Sequence, residues 1–186
     1  MNYTKRAQEL NQTFGQVLQG CPQLTLIGDP VLRQKTTAVS VAEGLVIAQK
    51  LQETLLKYRQ LTGLGRGLAA PQIGEAKAVF VTYLNDTFKI YLNPKIVALG
   101  PQLNFYRESC LSGGYLSAEV KRPATVTLEY TNEQGQRQTE QAEGLTARLL
   151  QHEYDHLEGV VNLDKAEAGS ISFMFNDPLE EKLRAV

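Results

Sequence analysis

Leu145-Thr-Ala-Arg-Leu-Leu-Gln-His-Glu-Tyr-Asp-His-Leu-Glu-Gly159 is the stretch around which the rest of the chain is organised. At 3.6 residues per turn, His152 and His156 lie one turn apart on one face of a helix, so both can reach a single ion. Leu145 and Leu149 continue that face towards the N-terminus, and Gly159 stands where a helix C-cap is expected. The pattern therefore predicts a helix with a buried face.

The same helix carries a motif with metal chemistry. Glu153 follows the first histidine and completes His-Glu-x-x-His, in which two histidines bind a metal and the glutamate acts as a general base. The chain has 2 His, and both are in this motif. The alternative is two ordinary helix residues, because a five-residue pattern also occurs by chance. The apolar face and the following glycine favour the metal site.

Composition bounds the class of protein. The chain has 186 residues, 42% hydrophobic and 21% charged, as expected of one globular domain with a proper core. A net charge of -1 gives no electrostatic case for nucleic acid or an anionic membrane. The apolar runs are too short to span a bilayer, and the first ten residues lack a secretory core. Two cysteines, Cys21 and Cys110, are too few for a disulfide framework, so we expect a cytoplasmic protein.

Periodicity gives an outline of the fold. Residues 1–22 form a helical arm, and residues 23–186 form a single metallohydrolase domain. Ser40 and Glu43 make a capping box for a second helix, which Gly63 ends. Strands are predicted at residues 78–84, 88–92, 96–99, 125–130, 137–141 and 160–163, the first two joined by a hairpin turn at 85–87. The predicted class is α+β, with antiparallel or mixed sheets around a central helix that bears the His-Glu-x-x-His motif. Three tail residues are predicted to pack on the domain: Phe173, Met174 and Phe175.

Two further stretches are unusual. Glycines alternate in Gly63-Leu-Gly-Arg-Gly-Leu-Ala-Ala-Pro-Gln-Ile-Gly74, which permits close approach of the backbone to another group. Its spacing is not that of a phosphate loop, and a flexible loop is the alternative reading. Gln72 is the only side-chain amide in that segment. Glu108-Ser-Cys-Leu-Ser-Gly-Gly114 places a cysteine among small residues.

Three segments together resemble a known family. Gly65-Arg-Gly-Leu-Ala-Ala-Pro-Gln72, Glu108-Ser-Cys-Leu-Ser112 and Gln151-His-Glu-Tyr-Asp-His156 are similar, in order and spacing, to the three signature motifs of peptide deformylases. The resemblance implies hydrolysis of the N-formyl group from the N-terminal methionine of new polypeptides, with release of formate. The partners it implies are formyl-methionyl nascent peptides at the ribosome.

The resemblance also assigns roles to individual residues. Cys110, His152 and His156 would hold one divalent metal and leave a fourth position for water, as in catalytic tetrahedral sites. Fe(II) is the metal that the resemblance suggests, and Zn(II) or Ni(II) could substitute, since thiolate and imidazole suit all three. Glu153 would be the general base. The Gln72 side chain and the Leu111 N–H would stabilise the oxyanion.

Several residues expected near the substrate depart from the family pattern. The backbone around Gly67 would pair with the substrate as an added strand. The family usually has glycine where this chain has Ser109, Val-Pro-Gly where it has Gly113-Gly114-Tyr115, and an aliphatic residue at Arg66. Ser109 would be strained if its φ were positive. Arg66 would either influence which residues after the first methionine are accepted or face solvent.

Three alternatives remain at this stage. One is a metallopeptidase that uses the same helix motif, although such enzymes take their third ligand downstream and Cys110 lies upstream. Another is a catalytically impaired deformylase-like protein that binds formyl-peptides or the ribosome. The last is a purely structural metal site, which predicts no open coordination position.

Overall fold

The structure, a computed structural model, describes residues 3–174 and 184–185, with only the backbone described for Tyr3 and for the last two. Three α-helices are present in this part of the chain: α1 (Tyr3–Gly20), α2 (Val41–Thr62) and α3 (Gly144–Leu157). None of these described helices combines the length and the apolar character that crossing a bilayer requires.

Nine strands accompany the helices in the described residues. In chain order they are β1 (Gly67–Ala69), β2 (Val79–Leu84), β3 (Thr87–Leu99), β4 (Leu103–Ser109), β5 (Leu116–Pro123), β6 (Thr125–Thr131), β7 (Arg137–Glu143), β8 (Ser172–Phe173) and β9 (Arg184–Ala185). One sheet has the order β1-β2-β3-β6-β7 and the other the order β8-β5-β4-β9, with antiparallel pairing throughout both. The predicted α+β class is confirmed.

Local sequence explains the ends of α2 and the first hairpin. The Ser40 Oγ accepts a hydrogen bond from the Glu43 N–H at 3.2 Å, and Gly63 ends the helix with a φ of 73°. Asn85 and Asp86 have φ values of 49° and 56°, which fit a two-residue primed turn that pairs β2 with β3. These sequence predictions are confirmed.

Several predicted strands need correction. Residues 88–92 and 96–99 belong to one strand, β3, because the chain passes through a bulge between Leu92 and Lys95 instead of ending. The predicted edge strand at 160–163 is wrong, since Asn162–Lys165 is a 3₁₀ helix. There the Asp164 carboxylate accepts from the Val161 N–H, which favours a tight turn over an extended strand.

The sequence predicts none of the four strands of the second sheet, of which β4 and β5 are the longest. In β4 every second residue is buried, but two of the three buried side chains are Asn104 and Glu108. In β5 the buried face includes Arg122. A strand whose buried face is polar shows no hydrophobic alternation, so its sequence does not reveal it.

The predicted packing of the tail is confirmed for Phe173. This residue lies in β8, pairs with β5 and contacts the Tyr115 ring at 5.7 Å between centroids, although it is 51% exposed and so not a core residue. Met174 is half-buried. Phe175 lies outside the described residues.

The core of the described residues has two apolar clusters, one of which packs against α3. One cluster joins α1 and α2 to β1, β2 and β3, and includes Val17, Leu51 and Leu68. The other joins α3 to β2, β3 and β6 and includes Leu128 and Leu150. Helix α3 contacts strands of the five-stranded sheet and also β5 of the other sheet. One face of α3 lines a cleft between the two sheets.

Candidate metal and catalytic site

Three possible metal ligands converge from two parts of the chain. Cys110, directly after β4, and His152 and His156 of α3 offer donor atoms that all lie within 4.8 Å of one another. The Cys110 Sγ is 3.3 Å from the His156 Nε2, and the two imidazole rings are 5.1 Å apart. Donors held about 2.0–2.3 Å from one tetrahedral ion lie about 3.3–3.8 Å apart, and the Cys110 Sγ and His156 Nε2 have this separation. The residues present therefore fit a divalent metal ion.

A carboxylate behind His152 fixes its orientation. The His152 Nδ1–H donates to the Glu108 Oε2 at 3.0 Å, so the Nε2 is the nitrogen left for coordination. Burial alone would raise the pKa of Glu108, but the charge of Arg122 and hydrogen bonds from Arg122 and His152 hold that pKa well below its usual value. Glu108 is therefore ionised and a strong acceptor.

Glu108 is part of a buried ionic network that sequence reasoning missed. Arg122 donates to both Glu108 oxygens at 2.7 and 2.9 Å and to the Asp155 Oδ2 at 2.6 Å. Arg148 also bonds Glu108, and Lys165 bonds the other oxygen of Asp155 at 2.6 Å. A cluster assembled from β4, β5 and α3 has no local sequence pattern. The only available signal was the glutamate two residues before the candidate cysteine.

Glu153 is a buried carboxyl group between the two candidate histidine ligands in the chain. It is 3% exposed, and its Oε2 has no hydrogen-bond partner in the described part of the chain. Burial, more than any nearby charge, raises the pKa of Glu153 to about 7. A carboxyl group with such a pKa can take up and release a proton near neutral pH.

Glycine at position 67 is required by the close approach to this base. A Cβ built on Gly67 would lie 2.7 Å from the Glu153 Cδ and closer still to its oxygen. No side chain fits there unless the carboxylate moves. Gly67, one of the alternating glycines, therefore has a steric function, which the alternative reading of this segment as a flexible loop does not explain.

The Gln72 amide is also directed at the site. Its Oε1 accepts from the Ala69 N–H at 2.9 Å, which orients the group. Its Nε2 donates towards the Cys110 Sγ at 3.4 Å and the Ser112 Oγ at 3.3 Å. Gln72 is buried, so this donor is held in place without competition from solvent.

A single cleft collects most of the predicted site residues. Those that line it are Arg66, Gly67, Gln72, Cys110, Leu111, His152 and Glu153. His156, the remaining one, is fully buried behind the cleft. Other lining residues are Leu145, Leu149 and Arg148 of α3, together with Gly114 and Met174. The cleft therefore runs from the ligand cluster along α3.

The unusual residues of the cleft have distinct environments. Ser109 ends β4 in extended pairing with Ser117, and its φ is not positive, so the conditional strain at this position does not arise. Gly114 has φ 61° and ψ -118°, a conformation accessible essentially to glycine alone. Arg66 is half-buried and has no ion-pair partner among the residues that the structure describes.

Comparison with known proteins gives one consistent result. A sequence model of the polypeptide deformylase family matches residues 22–170. The peptide deformylase of Treponema pallidum strain Nichols is 36% identical over 146 residues, covering 78% of this chain and 88% of its own. That of Rhizobium meliloti is 38% identical over 148 residues, covering 76% and 82% respectively.

Solved structures agree with the sequence comparison. A peptide deformylase from Synechococcus elongatus in complex with actinonin superposes with a TM-score of 0.70 at 37% identity, covering 78% of this chain and 79% of that one. The peptide deformylase of Thermotoga maritima superposes with a TM-score of 0.69 at 32% identity, covering 77% and 96%.

Proposed function

This chain belongs to the polypeptide deformylase family and hydrolyses the N-formyl group from the N-terminal methionine of polypeptides, and we propose that Glu153 is the general base of that reaction. The observation that carries the assignment of roles is the convergence of Cys110, His152 and His156 beside Glu153 and Gln72. Neither the metallopeptidase nor the binding-protein alternative is needed to explain this cleft.

The metal is held by Cys110, His152 and His156 in this proposal. When bound, a divalent ion supplies a Lewis acid that polarises the formyl oxygen and acidifies water. We propose Fe(II) as the physiological ion, with Zn(II) and Ni(II) able to replace it, because one thiolate and two imidazoles suit all three. Glu108 would orient the His152 ring for coordination.

Proton transfer is assigned to Glu153. Its Oε2 takes a proton from the attacking water while the water oxygen forms a bond to the formyl carbon. As the electron pair on the formyl oxygen re-forms the carbonyl, the carbon–nitrogen bond breaks and Glu153 returns the proton to the amine nitrogen; formic acid leaves and ionises to formate. A pKa near 7 suits both halves of this transfer, because neither uptake nor release is strongly unfavourable.

Charge on the formyl oxygen needs donors that are already in place. The Gln72 Nε2–H and the Leu111 N–H are assigned this role. Gln72 is oriented by the Ala69 backbone, and Leu111 directly follows the proposed ligand Cys110 in the cleft. Fixed donors need no reorganisation as the charge develops.

The substrate is placed along β1. Strand β1 is an edge strand of its sheet. It pairs with β2 on one side, and its other side can accept an extended peptide near Gly67. Arg66 would then face residues that follow the formyl-methionine. We place the reaction in the cytoplasm, since the two cysteines are free thiols. Its proposed substrates there are nascent peptides at the ribosome.

The decisive experiment is formate release from a formyl-methionyl tripeptide by anaerobically purified protein loaded with Fe(II). We expect release by the wild type and almost none by Glu153→Gln, with equal metal content in the two proteins. Rapid release by the variant would remove Glu153 as the base. Cleavage of an internal peptide bond in an unformylated control would instead indicate a peptidase.

A further inference from the structure

Two segments outside the family-matched residues 22–170 meet at Tyr115, which directly follows the cleft residue Gly114. Phe14 of α1 and Phe173 of β8 both contact Tyr115, with ring centroids 5.5 Å and 5.7 Å from it. The Met174 N–H donates to the Tyr115 carbonyl oxygen at 2.7 Å, and Met174 itself lines the cleft. The chain before and after the matched region is therefore joined through one loop residue.

Phe14 also covers the neighbouring glycine. A Cβ built on Gly114 would lie 3.1 Å from the Phe14 Cε2, so the ring rests directly on this glycine. Gly114 lines the cleft and has a backbone conformation that other residues rarely adopt. Such a flexible residue keeps one conformation only if its surroundings hold it.

The loop that connects β4 to β5 has two halves with different anchors. The first half is held by the matched domain, because the Ile27 N–H donates to the Ser112 carbonyl oxygen at 2.8 Å and Gln72 bonds the Ser112 hydroxyl. In the second half, the Gly114 N–H donates to the Leu111 carbonyl oxygen at 3.3 Å, and the two phenylalanine rings supply further contacts with Gly114 and Tyr115. Changes at these rings should therefore affect the cleft wall more than the ligand Cys110.

We infer that Phe14 and Phe173 are positioning residues for the substrate, which contact Tyr115 and thereby hold Gly114 and Met174 as one wall of the cleft. This inference rests on the proposed function, because it assumes that the cleft binds the formyl-peptide. Met174 and the Gly114 backbone would contact the substrate, while the phenylalanines act only through them. The N-terminal arm thereby becomes part of the substrate site.

The test compares Phe14→Ala and Phe173→Ala with Leu18→Ala, which removes a 40% exposed apolar side chain from the same helix as Phe14. With a formyl-Met-Ala-Ser substrate, we expect KM to rise about three- to tenfold in the first two proteins, the range that one aromatic contact accounts for. We expect kcat and metal content to stay close to wild-type values. Phe14→Tyr, which keeps the ring, should restore KM.

A second readout follows the loop itself by hydrogen exchange. Amides in residues 114–117 should exchange faster in Phe14→Ala and Phe173→Ala but not in Leu18→Ala. Unchanged KM and unchanged exchange in both alanine variants would overturn the inference, as would an equal effect of Leu18→Ala. Phe173 is half-exposed, so Phe173→Ala decides the question if Phe14→Ala fails to fold. A wild type without formate release would remove the proposed function, and the exchange data would still decide the anchoring.

Discussion

The proposed ligand cluster, Cys110, His152 and His156, and the cleft wall are held by different kinds of interaction. Around the ligands, Glu108, Arg122 and Asp155 form buried ion pairs at 2.6–2.9 Å, and the Gln72 amide is bonded at both ends. At the wall, Gly114 and Tyr115 rest on the rings of Phe14 and Phe173. Buried charges tolerate almost no change, whereas ring contacts are worth about 0.5–1.5 kcal/mol each. Rate and stability should therefore depend on the first region, and substrate preference on the second.

The largest effect is expected at the base. Glu153→Ala should lower kcat by about 10²- to 10⁴-fold, because general base catalysis accounts for factors of this size. Metal content should be unchanged, since Glu153 is not assigned as a ligand. Formate release and metal analysis on the same preparation measure both quantities. Normal turnover would show that another group takes the proton.

The ionic network is the next most sensitive feature. Arg122→Leu should destabilise the protein by about 3–5 kcal/mol, because it leaves Glu108 and Asp155 buried without their main partner. Arg137→Ala is the control, since Arg137 is 76% exposed in its pair with Glu129 and such pairs contribute at most about 1 kcal/mol. Urea unfolding gives both values. Equal losses would mean that the buried network contributes no more than a surface pair.

Metal retention tests the third ligand. Removal of a group that supports a metal ligand weakens metal affinity by about 10- to 100-fold. Cys110→Ser should weaken it by more, because Cys110 is proposed as a ligand itself. Cys21→Ser is a matched control, because Cys21 is equally buried but lies away from the cleft. Titration with a competing chelator measures the difference. Full metal retention by Cys110→Ser would exclude Cys110 from the site.

The smallest effect concerns the charge of Arg66, which lines the cleft next to β1. Arg66→Ala should reduce the preference for formyl-Met-Asp over formyl-Met-Lys peptides by up to about fivefold, since a partly exposed ion pair contributes at most about 1 kcal/mol. Arg66→Lys should keep the preference. The ratio of kcat/KM values for the two peptides is the measurement. A ratio that does not differ between wild type and Arg66→Ala would show that Arg66 faces solvent.

The same contrast separates what sequence could predict from what it could not. The helix of His152 and His156, the cap at Ser40 and the turn at Asn85 depend on residues close in sequence, so their patterns predict them. The Gly-rich segment predicts close approach of the backbone to another group, but only the structure shows that this group is Glu153. The resemblance to the family supplied the roles that local patterns could not.

The failures have a shared cause. Strands β4 and β5 were missed because Glu108 and Arg122 occupy buried positions that a sequence rule assigns to apolar residues. Each is tolerated only because the other neutralises it. The contact of Phe14 with Tyr115 that supports the wall likewise has no sequence pattern, because the two residues are about a hundred positions apart. The division into an arm and a domain stays a prediction.

Glu108 couples metal binding to folding, because it both orients the proposed ligand His152 and belongs to the buried ionic network. A metal that binds only the folded chain adds its binding energy to stability, about 2.7 kcal/mol at a hundredfold excess over Kd. When the metal is scarce, the chain should unfold more often and be degraded sooner. The amount of this protein in a cell would then follow the supply of its metal.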